Sequence, residues 1–370
     1  MFGCKPSFTN NSGLSFPSGF SISAFNFFFV FVFPYALVAV MAYVGGRVVF
    51  GLGTEVRRAR ELGSYRLVAR LGAGGMGEVW RAKHRLLARP AAIKLIRPLG
   101  AAGTGGGAAG QVPDTARRRF EREAQVTASL RSPHTVNLFD FGVADDGSFY
   151  YVMELLEGLD TERLVSRFGP QPAERVIHIL RQMCHSMSEA ESIGLVHRDI
   201  KPGNIFLCHY GEDYDFVKVL DFGIAKAVRE PDSPELAITQ LTVQHVVQGT
   251  PAFIAPEQAM GASDIDGRAD IYAAGCVAYW LLTGELVFTA DTPMKLMMHH
   301  AKTEPQPPST RSEVDVPPEL DQVILECLAK NPADRPQTAR ELARRLGQIV
   351  CDPWTEERAR QWWMIHHPEA

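Results

Sequence analysis

The sequence predicts an α+β protein of two lobes, a small antiparallel sheet with one main helix followed by a larger helical part. Three observations carry that expectation. Between residues 65 and 155, short apolar runs broken by glycines and polar loops read as strands. From Pro172 onward the apolar spacing changes to that of helices. The chain has 370 residues, 46% of them apolar, enough for one two-lobed unit with its own core and short extensions. A strand-rich lobe joined to a helix-rich one leaves a cleft between them, the usual place for a ligand.

Tyr65 to Leu71 reads as the first strand and runs into the glycine cluster Gly72, Gly74, Gly75 and Gly77. Val79 to Lys83 and Ala91 to Ile96 continue a meander. Residues 99 to 111 are almost entirely glycine and alanine, a composition that buries little and loses much entropy on ordering, so a surface loop is expected there. Ala116 to Leu130 has helical spacing, with Phe120, Ala124 and Thr127 on one side, and Val136 to Phe141 and Phe149 to Leu155 complete the first lobe. The second lobe contains predicted helices over Glu174 to Ser192, Asp270 to Thr283, Pro318 to Leu328 and Pro336 to Val350. Trp354 to Trp363 (WTEERARQWW) reads as a short amphipathic helix, expected to dock back onto the helical lobe, with a partner-binding role as the alternative.

Five segments follow: a polar segment 1–23, an apolar run 24–44, a basic linker 45–63, the two-lobed domain 64–350 (small lobe to about 155, large lobe from about 156), and a C-terminal helical tail 351–370. Ala24 to Val44 carries no charge and, at about 1.5 Å per residue, is long enough to cross a bilayer as one helix. Arg47, Arg57, Arg58 and Arg60 follow it, against Lys5 before it, which puts the C-terminal side in the cytoplasm. Asn26 and Pro34 oppose a continuous helix, so a membrane anchor and a non-spanning extension, with translation starting at Met41 or later, both stay open.

Thirty-eight basic and 42 acidic residues give a net charge of -4, too weak a field to draw the chain to nucleic acid; a protein or small-molecule partner fits better. Six cysteines stand singly, without a CxxC pair or a Cys/His grouping, which suits a reducing compartment and no structural metal. The pairs His299–His300 and His366–His367 read as surface residues.

The segment LGAGGMGEV places Gly72, Gly74 and Gly77 between two strands, where glycine lets the backbone bend and its N–H groups approach phosphate oxygens. A dinucleotide fingerprint is disfavoured, because a strand and not a helix follows. Lys94 interrupts the apolar strand AAIKLI; it is either an edge residue or an ammonium held beneath the glycines to meet phosphates. Glu123, in RRRFEREA, is the candidate acid to orient it, or else a surface partner of an arginine. More specific is the run His197-Arg198-Asp199-Ile200-Lys201-Pro202-Gly203-Asn204. It brings a carboxylate, an ammonium and an amide to one loop, as in-line phosphoryl transfer requires of a base, a neutralising charge and a metal ligand. Asp221-Phe222-Gly223, after the apolar strand Phe216 to Leu220, offers a hard oxygen for Mg²⁺.

Together these motifs resemble those of the eukaryotic-like (Hanks-type) protein kinase family over about residues 64 to 350, and within it the bacterial serine/threonine kinases, through LGAGGMGEVW, HRDIKPGNIFL and GTPAFIAPEQA. The resemblance implies an ATP- and Mg²⁺-dependent transferase acting on serine and threonine hydroxyls of protein substrates. It implies that Gly72, Gly74 and Gly77 cover the phosphates, and that Lys94, paired with Glu123, holds them. Asp199 is implied as the base, Lys201 as a γ-phosphate contact, and Asn204 and Asp221 as Mg²⁺ ligands. Leu71, Val79, Ala92 and Phe206 would enclose the adenine, with Met153 as gatekeeper and Glu154 to Leu156 as hinge. It further implies a buried bridge between Glu257 and Arg335, Asp270 as anchor of the catalytic loop, and activation by autophosphorylation at Thr239 or Thr242. Ala91, Phe253 and Glu191 depart from the family pattern without removing a charged catalytic group. The alternative, a pseudokinase acting as a binding module, usually lacks one of the residues here represented by Lys94, Asp199 and Asp221.

Overall fold

The computed structural model describes residues 13–15, 21–23, a few positions between 33 and 41, and residues 61–366 with breaks at 75–76, 88, 97–113, 145 and 224–250. The chain divides into two compact units, Met1–Leu62 and Gly63–Ala370. In the first, Gly13–Ser15 and Ser21–Ser23 pair as antiparallel strands. The apolar run 24–44 lies almost wholly outside the described residues, as do the glycine/alanine loop and Thr239, Thr242 and Thr250. Among the described residues no helix is long and apolar enough to cross a membrane.

The second unit opens with strands β1 (Tyr65–Gly74), β2 (Gly77–His84) and β3 (Pro90–Ile96), then helix α1 (Asp114–Ala128) and strands β4 (Leu138–Val143) and β5 (Phe149–Glu154). The five strands form an antiparallel sheet in the order β1-β2-β3-β5-β4. In β3, Ala92, Lys94 and Ile96 share a face, since strand side chains alternate. Phe120 and Ala124 of α1 are fully buried, and Phe120 joins Ala92, Ile96, Val136, Phe149, Tyr151 and Met153 in the small lobe's core. Burying each of those large side chains contributes about 1.5–3 kcal/mol.

The helical lobe begins with β6 (Gly158–Asp160) and α2 (Thr161–Phe168), whose N-terminus is capped by Asp160 accepting from the Arg163 N–H at 2.7 Å. Next come α3 (Ala173–Ser192), β7 (Ile205–Tyr210) and β8 (Asp213–Val219), then α4 (Pro256–Ala259), α5 (Gly267–Thr283), α6 (Pro293–Lys302), α7 (Pro318–Cys327), α8 (Ala339–Leu346) and α9 (Glu356–His366). Helix α5 is buried almost all round, as the apolar and small residues from Ile271 to Leu282 demand. It starts at Asp266, which caps the Arg268 N–H, and stops at Gly284, which takes the left-handed conformation that side chains oppose.

Most predicted elements lie within two residues of the observed ones. The fourth strand is displaced to Leu138–Val143, and the last helix of the predicted domain is shorter, Ala339–Leu346, because Thr338 caps it and Gly347 follows. The tail docks as expected: α9 packs on the helical lobe with Trp363 fully buried. His300, expected at the surface, is instead buried, its Nδ1 within 2.9 Å of the Tyr272 hydroxyl.

Candidate active site

The strand register assembles one wall of the site. Lys94 stands opposite Val79 on one side and Tyr151 on the other, and Ala92 stands opposite Met153. Residues in register share a face, so Val79, Ala92, Lys94, Tyr151 and Met153 line the same side of the sheet. Ala92 and Met153 are buried, Val79, Leu156 and Phe206 are half-buried and Leu71 is exposed.

At Gly77 the chain adopts φ 146°, and a Cβ there would fall 1.7 Å from the Leu95 carbonyl oxygen. Only glycine fits that close approach. At Gly72 nothing lies within 4 Å of such a carbon, so this strand end faces open space.

Facing the sheet is the loop from His197 to Asn204, held at several points. Asp270, in the first turn of α5, accepts the N–H groups of His197 at 2.7 Å and Arg198 at 2.8 Å, the anchoring role expected of it. Arg198 takes φ 62°, a left-handed conformation that costs about 1–3 kcal/mol in a non-glycine residue and here persists under that two-point grip. His197 Nε2 bonds the Leu220 carbonyl at 2.8 Å, while the Leu220 N–H donates to the Asn204 carbonyl at 2.9 Å. The two loops carrying Asp199 and Asp221 are thereby stitched together. Asp221 also has positive φ, 61°, and Phe222 behind it is buried against the His197 ring, centroids 4.5 Å apart.

The functional groups converge. Lys201 Nζ lies 2.8 Å from Asp199 Oδ2, and Asn204 Nδ2 donates to that same oxygen at 3.0 Å and to the Asp199 carbonyl at 2.8 Å. Asp221 forms an ion pair with Lys94 and accepts a hydrogen bond from the Tyr151 hydroxyl. Burial alone would raise the Asp221 carboxyl, and the Asp199 charge adds to this. The Lys94 ammonium and the two hydrogen bonds outweigh both and hold it below the usual carboxylate range. Tyr151 is driven well above the ordinary phenol range by burial and by the Asp221 charge, so it stays a donor.

One expectation is corrected: the Lys94–Glu123 pair is not formed. Lys94 is taken by Asp221, while Glu123 is half-buried on α1. Tyr151 is the contact that sequence reasoning missed, although its place two residues before Met153 puts it on the same face. Lys218 was missed as well. It is fully buried, and its ammonium lies 2.8 Å from Glu154 Oε1. The Glu154 carboxylate is thus tied to β8, the strand that leads to Asp221. The buried Glu257–Arg335 bridge is present and bidentate, at 2.7 and 2.8 Å. Among the described residues no cluster of three His, Cys, Asp or Glu side chains could hold a metal; Asp221 and Asn204 offer one carboxylate and one amide oxygen.

A two-lobed fold with these groups at its cleft is that of a protein phosphotransferase. A model of the protein kinase domain matches residues 65–354, and the chain belongs to the protein kinase family. Curated relatives include bacterial serine/threonine-protein kinases. The chain is 38% identical to the serine/threonine-protein kinase pkn3 of Myxococcus xanthus over 276 residues, 74% of this chain and 48% of that protein. It is also 38% identical to PknB of Mycolicibacterium smegmatis over 286 residues, 75% of this chain and 41% of that protein. The chain therefore spans less than half the length of these relatives. A solved kinase domain, a double mutant of PknI from Mycobacterium tuberculosis, is similar with a TM-score of 0.58 at 29% identity, covering 78% of this chain and 96% of that one.

Proposed function

We propose that this chain catalyses transfer of the ATP γ-phosphate to serine and threonine hydroxyls of proteins. The observation that carries the reading is the meeting of Lys201 Nζ and Asn204 Nδ2 on one oxygen of Asp199, in a loop hydrogen-bonded to the turn that holds Asp221. Asp199 orients the acceptor hydroxyl and takes its proton, and Lys201 balances charge on the moving phosphoryl group.

The protein kinase family uses ATP with Mg²⁺, and the residues present fit both. Gly72, Gly74 and Gly77 leave room for phosphates beside Lys94. Leu71, Val79, Ala92, Met153, Leu156 and Phe206 offer an apolar slot for the base, with the backbone from Glu154 to Leu156 as its polar edge. Asn204 and Asp221 are the hard oxygen donors Mg²⁺ prefers. When bound, Mg²⁺ neutralises charge on the phosphates. In this reading Lys94 exchanges Asp221 for Glu123 when nucleotide enters, which frees the Asp221 carboxylate for the metal.

The presence of Lys94, Asp199, Asn204 and Asp221 favours catalysis over a pseudokinase role. Lys201 supports a serine/threonine preference through the family resemblance. The catalytic unit belongs in the cytoplasm, where ATP is available, with residues 24–44 as a candidate anchor. Incubating the full chain with labelled ATP, Mg²⁺ and a generic protein acceptor, and mapping the products by mass spectrometry, tests the reading. Phosphoserine and phosphothreonine from the wild type, absent with Asp199→Asn, are expected. Equal labelling by both proteins overturns it.

A further inference from the structure

On the helical lobe, α3 and α8 wall an open cleft of about 710 Å³, within the range of small-molecule sites. Arg181 and His178 of α3 and Arg340 and Arg344 of α8 line it, together with His185 and His134. Arg340 and Arg344 are one turn apart on α8, a like-charge spacing that costs about 0.2–0.5 kcal/mol without a counter-ion. Among the described residues none of the three guanidinium groups pairs with a carboxylate; Arg344 donates to the Gln348 amide at 3.2 Å.

The acid in the cleft's lining, Glu189, makes no ion pair with these arginines among the described residues. Its two oxygens accept the N–H groups of Arg131 at 2.8 Å and Ser132 at 2.6 Å. Burial lowers the pKa of His134 and His178, so both stand as neutral imidazoles able to hydrogen-bond. The cleft floor is joined to β8: His134 Nδ1 bonds the Val217 carbonyl at 3.0 Å, and Gln182 Oε1 accepts the Val217 N–H at 3.1 Å.

We propose that this cleft is a second ligand site, for a small phosphate-bearing molecule, with Arg181, Arg340 and Arg344 on the phosphate and the imidazoles on the remainder. Three planar forks without carboxylate partners suit a multiply charged oxyanion better than a single carboxylate. A concave volume of this size suits a soluble metabolite. The same phosphate chemistry could arrive on a lipid headgroup, which the test separates.

The test is calorimetric titration of the full chain with inorganic pyrophosphate, in EDTA and at fixed ionic strength, for wild type and for Arg181→Gln/Arg340→Gln. The double variant should bind at least about tenfold more weakly, the cost of losing one charged hydrogen bond. Its thermal midpoint and its KM for ATP should match those of the wild type. Should the double variant misfold, Arg344→Glu alone serves, with the same expected loss. Absence of binding to the wild type up to about 10 mM, where a site of even millimolar affinity would be occupied, overturns the proposal. So does undiminished binding by the variant. Capture by vesicles containing a phosphoinositide, without pyrophosphate binding, overturns it in favour of a membrane contact.

Discussion

Trp363 donates its indole N–H to Asp215 Oδ1 at 2.6 Å, in a place where neither side chain reaches solvent. Asp215 is also the acceptor for Arg175 at 2.7 and 2.8 Å and for the Trp354 indole at 2.8 Å. The Arg175 guanidinium lies over the Trp362 ring, 3.9 Å from its centroid. One carboxylate on β8 thus fastens both ends of the tail, although α9 lies beyond the segment that matches the kinase family. Asp215→Asn leaves the Arg175 guanidinium buried without its counter-charge and should cost about 3–5 kcal/mol. Trp363→Ala should cost about as much through the cavity it opens. Urea denaturation measures both, and losses below about 1 kcal/mol would show that the tail is not part of the folded core.

Asp199→Asn keeps the size of the side chain and a carbonyl oxygen for Lys201, but removes the base. Turnover should fall by about 10²-fold or more, while the KM for ATP changes little, since Asp199 does not hold the nucleotide in this reading. Steady-state kinetics with a protein acceptor checks it.

Lys94 is buried and paired with Asp221, whereas Glu123 is half-buried and makes no ion pair with it. Lys94→Met should abolish activity and, because it leaves the buried Asp221 carboxylate without its cation, lower the thermal midpoint by several degrees as well. Glu123→Gln should leave stability unchanged, because among the described residues its carboxylate makes no ion pair or hydrogen bond. Its turnover should still fall if Lys94 changes partner during the reaction. Full activity of Glu123→Gln would remove Glu123 from the mechanism.

The contrast between Lys94 and Glu123 marks what a sequence conveys. A lysine inside an apolar strand is legible because its charge has no packing reason to be there, and the loop from His197 to Asn204 because its residue types meet one chemical need at fixed spacing. Which acid meets Lys94 is a matter of how α1 and the Asp221 turn are seated, and no local pattern encodes it. Tyr151 escaped notice because an aromatic residue in a buried strand looks like packing. Asp215 and Lys218 escaped because β8 reads as a plain strand; their partners, Arg175, Trp363 and Glu154, are distant in sequence. His300 shows the opposite error, since polarity suggested the surface while tertiary packing against Tyr272 and Phe288 buried it.

We propose activation by autophosphorylation from the run ITQLTVQHVVQGT and from Arg198, the cation next to Asp199. A phosphate adds about -1.5 to -2 charges and three acceptors, enough for a bidentate bridge with a guanidinium. Mass spectrometry should find phosphate at Thr239 or Thr242 in the wild type and not in Asp199→Asn. The Thr239→Ala/Thr242→Ala variant should lose most activity; unchanged activity refutes the switch.

Acid should weaken the fold through His300. Burial, and secondly the nearby Lys330 ammonium, push its imidazole down to about 3 from the ordinary 6.5. Lys330 lies 4.7 Å from the centroid of Phe288, the ring that also packs edge-on against His300 at 5.1 Å. In the folded protein the ring therefore stays neutral as pH falls from 6.5 towards 3, while in the unfolded chain it takes up a proton. The unfolded state then binds more protons, so stability is unaffected above about pH 6.5 and declines below it, until the folded imidazole itself titrates near 3. The slope approaches about 1.4 kcal/mol per pH unit, and the loss from this group between pH 7 and pH 5 is about 2 kcal/mol. His300→Gln keeps a polar group that can reach the Tyr272 hydroxyl but does not titrate. Urea denaturation of both proteins at pH 7 and pH 5 isolates the effect, because other groups contribute equally to each. The variant should lose about 2 kcal/mol less than the wild type over that interval. An identical loss in both would show that His300 is protonated in the fold.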